Sequence, residues 1–294
     1  VDNGKKLLVT SSYNWCALLD IATGEVLFHT TAAPNAHSAE MLPDNRIAVA
    51  CSEGSNSDNN KVQVYDIARP NPVLFQSELG SAHGVVWNET TQRLYAIGGQ
   101  SLQIYKLKDW TSATPSLELE KTVQTPYGGL HDMSLVNSNP LCIGGRRAYL
   151  YDIGANQFTE MTLFASSTAI KSINYNDDTG ELWYTDSTIP EGSQAWSTQT
   201  IRYATDRNGS AATRTIKVPD LDMYKVIRLS MPGVASRATV STMSSHDSAT
   251  QPTRSRQRFR TSTAQTFTAT FASGDTAHPA AVSAIRSRSP GSGA

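Results

Sequence analysis

One two-strand phrase recurs along this chain at an interval that few folds accommodate. An apolar strand, an Asp or a polar substitute, a turn and a second strand appear as CALLDIATGEVLFHT from Cys16, VQVYDIARPNPVLFQ from Val62, LQIYKLKDW from Leu102 and YLYDIGANQFTEM from Tyr149. A weaker copy, IRYATDRNGS, starts at Ile201. The equivalent positions Asp20, Asp66, Lys106, Asp152 and Ala204 stand 46, 40, 46 and 52 residues apart. That is the repeat length of propeller blades, each phrase supplying the third and fourth strands of one blade. The Asp series reads as structural, its carboxylates accepting backbone hydrogen bonds in the hairpin turns.

A second phrase precedes each later copy and supplies the first two strands of the same blade. It reads HSAEMLPDNRIAVACS from His37, HGVVWNETTQRLYAIGG from His83, HDMSLVNSNPLCIGG from His131 and KSINYNDDTGELWYTD from Lys171. Period-two alternation dominates, no long segment has helical periodicity, and the chain reads as all-β. Four complete blades follow from this count. Before His37 there is material for three strands only, near Leu7–Thr10, Cys16–Asp20 and Val26–His29, while Met223–Leu229 is an orphan strand at the point where a next blade would begin. The expected architecture is a five-bladed β-propeller over residues 1–229, its first blade closed when strand 223–229 pairs with the N-terminal strand, with six or seven blades as the alternative. Closure removes an exposed strand edge.

Composition changes abruptly at the end of that unit. From Leu229 onward there is no Lys, Glu, Asn, Tyr, Trp or Cys, and Ser, Thr, Ala and Arg make up 41 of 66 residues. This segment carries net +5 and residues 1–228 net −6. So few large apolar side chains cannot offset ordering entropy, so residues 230–294 read as a disordered tail or as an out-of-frame sequence. The sparse arginines lack interleaved aromatics, and no nucleic-acid partner is expected. No apolar run approaches the roughly 18 residues of a membrane helix, so no membrane partner is expected either. A monomer is expected. Cys16, Cys51 and Cys142 lie in apolar strand runs without metal spacing and read as buried thiols. Dinucleotide, P-loop, zincin and α/β-hydrolase motifs are absent from the sequence.

The phrases NAHSAEMLPDNRIAVACS (35–52), SAHGVVWNETTQRLYAIGG (81–99), LHDMSLV (130–136) and MYKVIR (223–228) resemble an uncharacterised family of bacterial and fungal propeller proteins, known only as a domain of unknown function. The resemblance extends from residue 1 to about 228 and carries no established activity. Members of that family are often secreted, which implies a secreted or periplasmic location here. They finish soon after the closing strand with an aromatic-rich ending, unlike this chain.

The innermost strand of each blade starts on the face that also carries the loops between second and third strands. His37, His83, His131, Lys171 and Tyr224 open the five innermost strands, so one face should carry three imidazoles, an ammonium and a phenol around one axis. The loops add Ser52 and Glu53, then Gln100, then Arg146 and Arg147, and finally Asp186 with the 187–199 loop holding Glu191 and Trp196. Three readings of the histidines stay open. Neutral imidazoles at His37, His83 and His131 suit a divalent metal with an open position. They also suit bracing bonds to neighbouring blades, or a basic ring for an anionic ligand such as a uronic acid or phosphate. Carboxylate pairs for glycoside hydrolysis are weaker candidates, drawn from Glu53 and Asp186 or from Glu40 and Asp132. The function expected is binding of a small polar or anionic glycan-like ligand at the channel mouth, either directly or through a divalent metal. The alternatives are a metal-dependent lyase or hydrolase of acidic sugars and a protein-interaction scaffold.

Overall fold

A computed structural model describes residues 1, 5–52, 60–69, 73–191, 194–219, 221–231, 234–242 and 282–285, with side chains described as far as Lys225. Five antiparallel sheets follow one another in the ring arrangement of a five-bladed β-propeller. The first has three strands, β1 (Lys6–Ser11), β2 (Trp15–Asp20) and β3 (Val26–Thr30). Four-stranded sheets follow. The second contains β4 (Ala36–Leu42), β5 (Arg46–Cys51), β6 (Lys61–Asp66) and β7 (Phe75–Glu78). The third contains β8 (Ala82–Asn88), β9 (Arg93–Gly98), β10 (Ser101–Lys108) and β11 (Ser116–Gln124). In the fourth are β12 (Asp132–Leu135), β13 (Leu141–Gly144), β14 (Ala148–Asp152) and β15 (Gln157–Glu160), and in the fifth β16 (Ile170–Tyr175), β17 (Leu182–Asp186), β18 (Thr200–Ala204) and β19 (Arg214–Lys217). The helical content among the described residues is a 3-10 turn at Thr162–Phe164. No helix there is long and apolar enough to cross a membrane.

The turns that set these blades are legible in their residues. In the β4–β5 hairpin, where Leu42 pairs with Arg46 across a three-residue loop, Asp44 and Asn45 both adopt positive φ, 58° and 55°, the left-handed conformation that Asp and Asn tolerate best among residues with a side chain. The three repeat aspartates cap their turns as expected: Asp20 Oδ1 accepts from Thr23 N at 2.8 Å, Asp66 Oδ1 from Ala68 N at 2.9 Å and Asp152 Oδ1 from Ala155 N at 2.8 Å. The main-chain bonds hold Asp20 and Asp152 below the usual carboxylate range.

The core lies between blades rather than in one centre. Leu18, Phe28, Ile47, Val49 and Tyr65 join the first two blades, and Leu42, Val64, Val85, Leu94 and Tyr105 the next two. Ile97, Leu102, Met133 and Ile143 form a third layer, and Leu150, Phe164, Ile173 and Tyr184 a fourth. Each layer hides both of its sheets from water, so the ring is held by repeated apolar burial. Cys16, Cys51 and Cys142 are buried free thiols in these layers, and burial pushes the first two up to about 12.

Ring closure differs in one respect from the sequence expectation. β20 (Met223–Met231) takes the innermost position beside β16 and β17, and its Tyr224 ring lies 5.7 Å from that of His37 at the other end of the ring. Its hydrogen-bond partner, however, is β21 (Val234–Thr242), with Val226 opposite Val240, and β21 pairs in turn with β22 (Val282–Ile285). Among the described residues β1 pairs with β2 alone, and β1 and β20 lie in separate sheets, so the expected ladder between 223–229 and Leu7–Thr10 is not formed. Two residues, Pro232 and Gly233, separate β20 from β21. A hairpin between adjacent segments closes a far shorter loop than a pairing across more than two hundred residues, and the local partner has that entropic advantage. The expected boundary at 229/230 therefore falls inside a strand.

Candidate functional site

The side chains at the axis are delivered by a backbone irregularity repeated from blade to blade. On β4, Ala36 faces Cys51 and Ser38 faces Ala50, which leaves His37 as the extra residue of a bulge. His83 is skipped in the same way between Ala82 and Gly84, Lys171 between Ile170 and Ser172, and Tyr224 between Met223 and Lys225. His131 immediately precedes β12, its N–H donating to Gly144 O at 2.9 Å. A bulge re-aims one side chain without breaking the strand. Here it turns four of these five residues out of the ladder at one level of the ring.

The approach to each histidine is also shaped. Two positions before it stands a residue with positive φ: Asn35 at 44°, Ser81 at 52° and Gly129 at 67°. Asn14 Oδ1 accepts from Asn35 N at 2.8 Å, and Asn60 Oδ1 from Ser81 N at 2.7 Å. Asn14 and Asn60 are 46 residues apart, the same interval as Asp20 and Asp66, a periodic signal from which this clamp was legible. Close approach does the rest: a Cβ on Gly98 would stand 2.5 Å from Gly80 O, and one on Gly145 2.7 Å from Gly129 O. The two Gly-Gly pairs are required by contact with the loops that lead into His83 and His131.

All five residues expected at the axis meet there. The rings of His37 and His83 have centroids 4.2 Å apart, and those of His83 and His131 5.0 Å apart. Tyr224 stands 6.1 Å from His131, and Trp196 of the 187–199 loop stands 6.0 Å from Tyr224. Lys171 Nζ is 2.9 Å from His131 Nε2, and Tyr224 Oη is 3.2 Å from His131 Nδ1. An ammonium only donates, so His131 accepts at Nε2, carries its proton on Nδ1 and donates it to the phenol oxygen. That leaves the Tyr224 hydroxyl hydrogen for another acceptor. His83 Nδ1 is 2.8 Å from Ser81 O, which requires an N–H there and leaves the lone pair on Nε2.

Burial decides the charge of this ring. His83 is held down to about 4, chiefly by burial and further by Lys225 and Lys171. His131 is held down to about 2 by burial and then by Lys171, His83 and Lys225, and His37 is likewise depressed by burial and by its neighbours. The imidazoles are thus neutral at pH 7. Lys171 is lowered to about 8 by burial and by Lys225, while Asp186 opposes the shift, so its ammonium stays charged at pH 7. Tyr224 is raised by burial, then by Asp132, and remains a phenol.

A second polar layer lies beside the first. Lys225 Nζ reaches from β20 to Asp132 Oδ1 at 3.1 Å and to His83 O at 3.2 Å, and Asp132 Oδ2 accepts from Ile173 N at 2.9 Å. Asp132 is consumed in this strut. Glu40 accepts from Met41 N at 2.9 Å and is raised by burial to about 7.

The remaining candidates sit farther out. Asp186 accepts from Ser167 Oγ at 2.7 Å and Thr188 N at 2.8 Å, and Glu191 from Thr198 Oγ1 at 3.1 Å and Thr200 Oγ1 at 2.5 Å. Gln100 donates to Thr125 O at 3.1 Å, and Arg146 is exposed beside Gly129. Ser52 Oγ lies 3.3 Å from His83 Nδ1. Glu53 lies outside the described residues. Among those described, no group of three or more His, Cys, Asp and Glu is arranged to hold a metal ion. Both nitrogens of His131 are already engaged, which accounts for that on the side of the third imidazole. Sequence reasoning passed over Lys225, whose signal was its place next to Tyr224 at the point where Asp132 follows His131, and Tyr127, four residues before His131.

No curated protein matches this chain. The resemblance drawn from the repeat phrases is supported over a shorter stretch than its residues suggested, from β1 into β11. Residues 1–122 match the sequence pattern of a family of unknown function, DUF6528, and that uncharacterised family is the one this propeller resembles.

Proposed function

We propose that the mouth of this propeller binds a small anionic, glycan-like ligand whose acid group, a carboxylate or phosphate, rests on Lys171. The observation that carries this reading is the state of that lysine. It is 8% exposed, its hydrogen-bond partner is a neutral imidazole, and among the described residues no carboxylate stands within ion-pair distance of it. Asp186 attracts the ammonium only from beyond that distance, burial still costs it, and an anion bound in direct contact offsets that cost. Lys225, by contrast, has its own carboxylate in Asp132 and is a strut. Around the ammonium, the free Nε2 lone pair of His83 accepts from a ligand hydroxyl and the Tyr224 hydroxyl donates to a ligand oxygen, a pattern suited to a polyol acid. The resemblance to an often-secreted family makes a secreted or periplasmic location part of the proposal.

Calorimetric titration of the full chain with galacturonate, glucuronate and inorganic phosphate, beside Lys171→Met, tests it. Saturable binding of one of these acids that is lost in the variant is the expected result. Equal binding by both proteins, or none by either, overturns it.

The neutral imidazoles support a second reading, a divalent metal held by His37 and His83 with His131 turning to join them. Their neutral state at pH 7 and 4.2 Å ring spacing are what it rests on, while Lys171 and Lys225, whose charges help depress both imidazoles, oppose a further cation. Metal content of the purified protein, with His83→Ala as control, separates the two: the second reading requires stoichiometric metal lost in the variant. A lyase or hydrolase of acidic sugars would build on such a metal.

A further inference from the structure

We infer that Tyr127, with Gln100 and Arg146 beside it, is a second sugar subsite on the same face, so that the ligand is an oligosaccharide rather than a monosaccharide. This rests on the central reading above. Tyr127 belongs to the loop between β11 and β12, the loop that ends in His131, and it is 46% exposed, whereas most of the other aromatic rings among the described residues are buried. Its ring is nevertheless held. It stacks on buried Tyr149 with centroids 6.2 Å apart and planes 17° apart, and the Arg147 guanidinium stands 5.7 Å from its centroid. Arg147 is itself fixed by Glu160 at 3.5 Å and by donation to Ser167 O.

The loop backbone is clamped as firmly. Thr125 N donates to Gln100 O at 3.0 Å, Gln100 Nε2 returns to Thr125 O at 3.1 Å, and Thr125 Oγ1 donates to Tyr127 O at 2.9 Å. A Cβ on Gly128 would stand 3.4 Å from Gln100 Cβ and one on Gly129 3.4 Å from Arg146 Cγ, so an amide and a guanidinium lie against the two residues that follow the exposed ring. A rigid aromatic surface flanked by planar hydrogen-bonding groups is how proteins take up the apolar face and the hydroxyl edge of a sugar ring. A partner protein would meet here the single large apolar side chain that this loop exposes among the described residues, whereas a sugar needs only one. Tyr127 stands four positions before His131, at most roughly 13 Å along the chain. Neighbouring units of one oligosaccharide span that distance.

The test compares galacturonate with tri-galacturonate on four proteins: the full chain, Tyr127→Ala, Tyr127→Phe and Lys171→Met. The expected result is a preference for the trimer that falls about tenfold in Tyr127→Ala. Tyr127→Phe should restore it, and monomer affinity and melting midpoint should be unchanged in both. A trimer preference untouched by Tyr127→Ala overturns the subsite while leaving the central site standing. Trimer binding that responds to Tyr127→Ala but not to Lys171→Met overturns the central reading alone. Absence of binding by either sugar to the unaltered chain overturns both.

Discussion

The ammonium of Lys171 donates to a neutral imidazole, His131 Nε2, at 2.9 Å, and that imidazole hands its other proton toward Tyr224. The relationship joins three innermost strands, β12, β16 and β20, at the level where the bulges turn their side chains inward. A lysine placed this way has a neutral imidazole where an ion pair would have a carboxylate.

Replacing that lysine separates binding from stability. Lys171→Met removes a buried charge and keeps most of the volume, so the melting midpoint should stay equal or rise, as when buried charges give way to apolar isosteres. Acid binding by the same preparation should be lost. A fall in the midpoint of more than a few degrees would mean that the ammonium stabilises the fold.

Binding should also follow the protonation of this group. Its folded pKa is near 8, so affinity for an anion is full below that pH and falls about tenfold per unit above it. In the free protein the sign for stability is opposite. Between about 8 and the unfolded value near 10.5 the unfolded chain holds the extra proton, so stability rises with pH across that window. Calorimetry from pH 6 to 10 reads both slopes, and affinity independent of pH would exclude Lys171 as the anchor.

The imidazoles act at the acid end. An unfolded histidine takes up its proton below about 6.5, while folded His83 declines it until about 4. Stability is therefore undiminished above pH 6.5 and falls as pH drops toward 4, by about 3 kcal/mol from His83 alone. His131 extends the loss to lower pH. Denaturant melts of His83→Gln should show a shallower acid slope than the unaltered chain, and parallel slopes would contradict the assignment.

Asp132→Ala should be among the most damaging single changes at the axis. It leaves Lys225 without its counter-charge and Ile173 N without its acceptor, both in buried surroundings. The expected loss is about 3–5 kcal/mol, read as a lowered denaturation midpoint. A loss below 1 kcal/mol would show that the strut is solvated.

Gly98→Ala tests the loop clamp. The added methyl would meet Gly80 O and Ser81 O, both backbone atoms, and Ser81 O is the acceptor that fixes the His83 tautomer. Destabilisation of about 1–3 kcal/mol is expected together with weakened acid binding. An unchanged midpoint would mean that the loop yields freely.

Much of this was readable from spacing. The Asp20, Asp66 and Asp152 turns, the three N-terminal strands and the convergence of His37, His83, His131, Lys171 and Tyr224 all follow from a repeat in which equivalent positions share one place in the ring. What lay beyond reach depended on atoms rather than register. Bulges leave no mark in an alternation pattern, because one skipped residue resembles a phase slip. His131 differs from His83 only in its neighbours: Lys171 Nζ occupies one nitrogen and Tyr224 Oη the other, from strands 40 and 93 residues away. The partner of β20 turned on a competition between a local and a distant strand, and pattern alone ranks them equally. Tyr127 falls outside the repeat altogether.

Lys225 ties the last innermost strand to residues that leave the ribosome far earlier, spanning 93 positions to Asp132 and 142 to His83 O. A nascent chain that has produced all five sheets through β19 still holds an unfinished axis: imidazoles without their phenol, and an aspartate waiting for its cation. Such non-local contacts form late and slowly. The polar axis is therefore the final part of the molecule to come into being, and its completion reports that every innermost strand is in place.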